Sequence, residues 1–174
     1  MIKQIIFIFL TFSIFTSLSA QSIDIEKSVV NFTTTALLVN TVEGTFRGMK
    51  GDVKFDVKNL SSSNFDVCID ASSLNSDNEK RDNHLKNKDF FEVEKYPEIC
   101  FVSTSIEKTE SGFKTTGNLT MHGVTKQIEI PFSFSNKTFT GKLKIKRLDF
   151  NIGEEYSNFT ASKEAELEII CVLK

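Results

Sequence analysis

Apolar and polar residues alternate with a period of two along most of this chain, which is the pattern of half-buried β-strands. Val53, Phe55 and Val57 alternate with Asp52, Lys54, Asp56 and Lys58, and Phe65, Val67, Ile69 and Ala71 with Asp66, Cys68 and Asp70. The same rhythm returns at Ile128, Ile130, Phe132 and Phe134, at Leu143 and Ile145, and at Leu167, Ile169, Cys171 and Leu173. One wet face and one apolar face per segment predicts antiparallel strands. Turn-forming residues separate them at Met49-Lys50-Gly51-Asp52, Ser111-Gly112, His122-Gly123 and Ser135-Asn136-Lys137. Such spacing fits a sandwich or a barrel, and periodicity alone does not choose between them.

One stretch departs from the rhythm. Residues 76–96 are mostly charged and end at Pro97. Asp77 is placed to cap a helix containing Glu79, Lys80 and Leu85, and Asp89 to cap a second short helical turn. A charged helical insert between strands does not belong in a core. It is expected to lie across one end of the sheet structure as a lid, held by Leu85, Phe90 and Phe91.

The start of the chain differs again. Lys3 precedes an apolar run from Ile5 to Phe15, and Thr16-Ser17-Leu18-Ser19-Ala20 supplies a small-residue exit. That order predicts a cleavable export signal over residues 1–20, leaving one domain at 21–174. The run is shorter than the ~20 residues that span a bilayer, and no cysteine at the exit offers a lipid anchor. A periplasmic or secreted location follows.

Composition sharpens the picture at two points. Of seventeen phenylalanines, four (Phe7, Phe9, Phe12, Phe15) fall in the leader; the chain has no tryptophan and two tyrosines. Such bulk without polar handles suits an apolar core or cavity. The net charge of the 174 residues is −2, with acidic and basic residues interspersed, which argues against nucleic acid as a partner.

The chemistry-bearing residues are sparse. His84 and His122 are the two histidines, and their spacing supplies no metal ligand set, so none is expected. There is no G-x-S-x-G elbow. Asp82 and His84 are two apart and would not share a helix face, and Ser61-Ser62-Ser63 reads as a loop. Catalysis is not expected, and no cofactor is called for. The Asn-x-Ser/Thr triplets at Asn31, Asn59, Asn118, Asn136 and Asn158 are what an Asn/Ser/Thr-rich chain produces by chance.

Several segments carry a resemblance in order along the chain. They are Ile23-Asp24, Gly44-Thr45-Phe46, Arg81-Asp82-Asn83-His84-Leu85, Asp89-Phe90-Phe91, Tyr96-Pro97-Glu98-Ile99-Cys100-Phe101, the run Gly117 to Lys126, and Arg147-Leu148-Asp149-Phe150. Together the chain resembles the YceI-like family of exported lipid-binding proteins. The resemblance implies an all-β fold with a short helical insert: an eight-stranded antiparallel, lipocalin-like β-barrel enclosing an elongated apolar cavity for polyisoprenoid chains. It implies non-enzymatic binding, sequestration or transport of a long-chain lipid such as a polyisoprenoid or isoprenoid quinone; transient membrane contact is left open. A barrel with a filled core and a structural or stress-protective role is the alternative, and monomer or dimer stays open. No histidine precedes Gly44-Thr45-Phe46, where the family has one, which leaves cavity length unassigned.

On that fold, the inward faces that would line a lipid cavity are Phe46, Phe55, Val67, Ile69, Phe101, Leu119, Met121, Ile130, Phe132, Leu143, Ile145 and Ile169. Ala71 is a small position that would shorten the accepted chain if it reached the cavity. Apolar residues on both parities around Arg147 to Ile152 predict a bulge. In the lid, Arg81, Asp82, His84, Phe90 and Phe91 are the residues of interest. Arg81 and Asp82 would meet a head group or tie the insert to the rim opposite Arg147 and Asp149, the second being favoured because buried charges need partners. Cys68 and Cys100 face outward on the two strands flanking the insert and stand close to opposite each other in a guessed register, so a bridge and two free thiols are equal alternatives. Cys171 falls on an inward face.

Overall fold

The computed structural model describes residues 20–37, 39–157 and 160–174. The expected leader, up to Ser19, lies outside the described residues.

The alternating segments become eight strands: β1 (Val29–Ala36), β2 (Asn40–Lys54), β3 (Asn64–Asn75), β4 (Glu98–Thr109), β5 (Gly112–Met121), β6 (Val124–Ser135), β7 (Thr138–Lys146) and β8 (Glu164–Val172). Each pairs antiparallel with its neighbour in sequence, and β1 pairs with β8, so the sheet closes into a barrel. Closure removes the open edges that a sandwich would have to protect. Register is held by the two-sided pattern, because a slip of one residue would turn every inward side chain outward. On the outer face, lysines oppose glutamates across strands, as in Lys142–Glu168 at 3.0 Å and Lys144–Glu166 at 2.8 Å. These pairs are exposed and screened by solvent, and they add little to the barrel beside its interior.

Successive strands reverse direction, so the connections divide between the two ends of the barrel. The β1–β2, β3–β4, β5–β6 and β7–β8 connections share one end, here called upper, and the β2–β3, β4–β5 and β6–β7 connections share the lower. At the lower end the chain start is tied on by Ile23, which bridges to Leu173, and by Gln21, which bridges to Val53.

Four local expectations need correction. Met49-Lys50-Gly51-Asp52 is no turn: it lies within the 15-residue strand β2, whose pairing with β3 shifts register between Thr45 and Lys50. Gly48, with φ 75°, lies in that shift, while Gly51 pairs in register with Val67; at Gly51 φ is 122° and a Cβ would collide with the Asp66 carbonyl oxygen, so this glycine serves close strand pairing rather than a hairpin. The strand also stops at Lys54; Phe55 is buried just beyond it, whereas Val57 is exposed in the following connection. The ambiguity at Arg147 to Ile152 resolves as a 3-10 turn over Arg147–Phe150, with Asn151 left-handed, and not as a bulge. This turn buries Phe150 and Ile152 and leaves Leu148 exposed, which explains apolar residues on both parities.

The fourth correction concerns the insert. It holds one helix, α1 (Glu79–Lys86), capped by Asn78, whose side chain accepts from the Arg81 amide at 3.0 Å. Asp77 sits one residue earlier at φ 58°, outside the cap position. No second helix forms around Asp89; residues 88–95 are turns held by main-chain bonds such as Val93 N–H to Lys86 O at 3.0 Å.

Candidate functional site: an apolar cavity under a lid

The barrel interior divides into two zones by height. In the lower zone six phenylalanines, Phe55, Phe65, Phe113, Phe132, Phe134 and Phe139, fill the cross-section. Phe55 alone has five ring neighbours at centroid distances of 5.1–6.1 Å. Phe134 and Phe139 approach to 4.4 Å. These spacings lie within the ~4.5–7 Å range of favourable ring pairs or at its edge, and they leave no room for a ligand.

Above this plug lies a cavity of about 360 Å³, within the roughly 300–1,000 Å³ typical of small-molecule sites. Every strand contributes to its wall. Ten of the twelve inward positions expected from the sequence line it: Phe46 from β2, Val67 and Ile69 from β3, Phe101 from β4, Leu119 and Met121 from β5, Ile130 from β6, Leu143 and Ile145 from β7, and Ile169 from β8. Phe55 and Phe132 do not; they belong to the plug. Their inward orientation is as expected, but alternation fixes only the face a residue takes, not its height in the barrel. Ala71 is 1% exposed and also off the cavity wall, lying where β3 runs past its pairing with β4 beneath the insert.

The lid closes the upper end. Leu85, Phe90 and Phe91 all line the cavity, and the Phe91 ring meets Phe46 edge-on at 5.4 Å. Phe90 is buried and lies 4.7 Å from the ring of Tyr156 on the β7–β8 connection. His84 Nε2 shares a 2.7 Å hydrogen bond with the Tyr156 hydroxyl, which also donates to Asp89 Oδ2 at 3.4 Å. Loss of hydration, with the Asp89 charge behind it, raises the Tyr156 phenol above its ordinary range, so it stays a donor. This His84–Tyr156–Asp89 latch joins the insert to the opposite side of the mouth.

The charged lid residues are tied locally. Arg81 Nε donates to Ser76 Oγ at 2.7 Å and its Nη2 to the Ser76 carbonyl at 2.6 Å. The buried Asp82 carboxylate accepts from the Ser76 amide at 2.9 Å and from its hydroxyl. Arg81 and Asp82 therefore brace the start of the insert on itself, not against Arg147 and Asp149 as expected. Arg147 is occupied elsewhere: its guanidinium donates to the carbonyls of Ser162, Ile152, Gly153, Tyr156 and Ala161. It shapes the β7–β8 connection around one cation, and burial lowers its pKa from the ordinary arginine value. Both arginines reach the cavity wall near its mouth, and neither has a carboxylate within 4.0 Å among the described residues. His122 occupies the β5–β6 turn at φ 51°, with Nδ1 donating to the Phe150 carbonyl at 3.1 Å.

Cys68 and Cys100 are direct cross-strand partners in the β3–β4 register and are joined by a disulfide, with Cα atoms 4.0 Å apart. Glu98 completes a three-residue group with them, but the bridge consumes both sulfur atoms, so the group offers no thiolate ligand. Cys171 is a buried free thiol.

Sequence reasoning missed several wall residues. Val30, Phe32 and Thr34 of β1 line the cavity, yet the threonines of that strand blur its alternation. Arg147, Ile152 and Tyr156 come from an irregular connection for which periodicity gives no signal.

Comparison with known proteins agrees with this architecture. A family model described as a YceI-like domain matches residues 21–173. Protein YceI of Salmonella newport (strain SL254) is 34% identical over 154 residues, covering 83% of this chain and 80% of the relative. The crystal structure of Burkholderia cenocepacia BcnA superposes with a TM-score of 0.79 at 27% identity, covering 87% of this chain and 99% of that one. A domain from Saccharophagus degradans, described as polyisoprenoid binding and implicated in plant cell wall breakdown, shares the fold with a TM-score of 0.68 at 17% identity, covering 89% and 98%.

Proposed function

The chain belongs to the YceI-like family, and from that premise we propose that it binds one long-chain apolar lipid, of the isoprenoid class, in the cavity above the phenylalanine plug. The carrying observation is an apolar chamber with side chains from every strand on its wall and a latched lid across its mouth. Affinity comes from burial: each CH₂ removed from water contributes ~0.8 kcal/mol, so ten buried carbons give roughly 8 kcal/mol gross before the cost of ordering the chain. The polar side chains at the mouth include Arg81, His84, Arg147, Tyr156 and Glu164, where the polar end of an amphipathic lipid would lie.

In this reading the protein is exported, acts by sequestration or transport, and needs neither cofactor nor catalysis. Binding of a polyisoprenoid is stated for the Saccharophagus degradans domain and is extended to this chain as part of the proposal. The test is native mass spectrometry of protein purified without detergent, followed by addition of prenols of graded length. A bound lipid, or uptake with a length optimum, supports the reading. Lipid-free protein that refuses every prenol supports the structural or stress-protective barrel instead.

A further inference from the structure

We propose that the upper end of the barrel docks on a lipid bilayer through the β1–β2 hairpin, with Leu37 and Val39 entering the interface. Both are exposed at this tip, Leu37 at 47% and Val39 at 80%. Single exposed apolar residues are ordinary, but the backbone here is not. Leu37 has φ 52°, and the other non-glycine residues with positive φ among those described are Asp77, Glu92, His122, Asn136, Lys137 and Asn151. All six are polar, three of them the Asn and Asp types that tolerate this conformation best. The other hairpin tips, at Ser111, His122-Gly123 and Asn136-Lys137, use ordinary turn chemistry. Only this hairpin places a leucine where the backbone disfavours it and leaves its side chain half in water, a cost that favours a use for the side chain.

Position identifies the partner. Ala36 bridges to Ala161, and the Leu37 amide donates to the Thr160 carbonyl at 3.4 Å. Thr35, Ala36, Thr160 and Ala161 line the cavity, so the tip is part of the rim of its mouth. Leu148, 40% exposed, belongs to the same end of the barrel. Resting on the proposed lipid cargo, the chemistry then follows: such a molecule resides in bilayers, and an apolar rim seated in the interface lets it pass without crossing water. Residues 28–42 carry no charged side chain, so insertion and not attraction to anionic lipid is the driving term. Two side chains give weak, reversible contact, as a carrier that must leave requires.

The absence of tryptophan from the sequence makes the test direct. Val39→Trp installs a single reporter at the tip, and Val57→Trp installs one at the opposite end, where Val57 is 51% exposed. Each variant is mixed with phosphatidylcholine vesicles, with and without brominated acyl chains. The Val39→Trp fluorescence is expected to shift blue and be quenched by bromine, insensitively to salt, while the Val57→Trp signal does neither. Adding Leu37→Ser to Val39→Trp should weaken partitioning by roughly fivefold or more, given the apolar surface removed. An unshifted Val39→Trp signal, or equal quenching at both ends, overturns the proposal, as does a blue shift that grows with protein concentration without vesicles and so reports a second copy. The readout is docking and not cavity occupancy: a chain that docks but takes up no prenol contradicts the carrier reading alone.

Discussion

Replacing Cys68 and Cys100 together by alanine removes a constraint whose size follows from the topology. The bridge joins residues separated by 32 positions and encloses the whole charged insert. On the chain-entropy relation a loop of that length restricts the unfolded chain by about 3.7 kcal/mol at 25 °C. Because the partners already face each other in the β3–β4 register, the native barrel keeps its pairing when the sulfurs are lost. The loss therefore falls on the unfolded state, and the variant should retain its far-UV circular dichroism. Urea unfolding of oxidised protein and variant measures the difference, expected as a lower midpoint with a slope m similar or slightly larger. A domain of this size loses roughly 2–4 °C of Tm per kcal/mol, so the thermal midpoint should fall by about 7–15 °C. Thiol titration supplies the independent check: unfolded, unreduced protein should show one reactive thiol, Cys171, which is protected in the native state. A stability loss under ~1 kcal/mol, or three titratable thiols in protein recovered from an oxidising compartment, refutes the reasoning.

Four further outcomes follow from the same structure. Phe55→Ala removes the ring at the centre of the plug; it should cost about 3–5 kcal/mol by urea unfolding and lengthen the longest prenol accepted in native mass spectrometry. Ile130→Phe adds bulk to the cavity wall and should shorten that limit, whereas Ala71→Phe, buried off the wall, should destabilise by roughly 1–3 kcal/mol and leave the length preference unchanged. Tyr156→Phe keeps the ring against Phe90 but deletes the hydroxyl shared by His84 and Asp89; at about 0.5–1.5 kcal/mol per hydrogen bond, lipid release in stopped-flow should quicken by roughly two- to tenfold. Burial pushes the Cys171 thiol from 9.0 to about 11, so the folded chain holds its proton more tightly; that stability is complete below pH 9, falls as pH rises towards 11, and the matching slope should vanish in Cys171→Ala.

Much of the fold was written in local pattern. Period-two alternation identified strands at β3, β6, β7 and β8 and the inward face of each, because side chains of a strand must alternate between water and core. The charged run at 76–96 declared itself a lid, since it had no apolar face to offer a barrel. Asn136 and His122-Gly123 marked hairpins through residues that accept a left-handed backbone. Motif order carried the family, and with it the choice of barrel over sandwich that periodicity had left open.

What alternation could not supply was anything depending on the sum of distant parts. Phe55 and Phe132 point inward as Ile130 and Phe101 do, yet two are plug and two are cavity wall; the difference is height along the barrel axis, fixed by register across all eight strands. Gly51 looked like a turn because a hairpin glycine and a glycine under a close partner strand both use a positive φ, and only pairing with β3 tells them apart. Arg147 lies in an irregular connection, and the latch of His84 with Tyr156, 72 residues apart, joins α1 to that connection; no period along the chain reports either. The sequence determined which residues face the interior; the volume left empty there, and what closes over it, was decided only when the barrel closed.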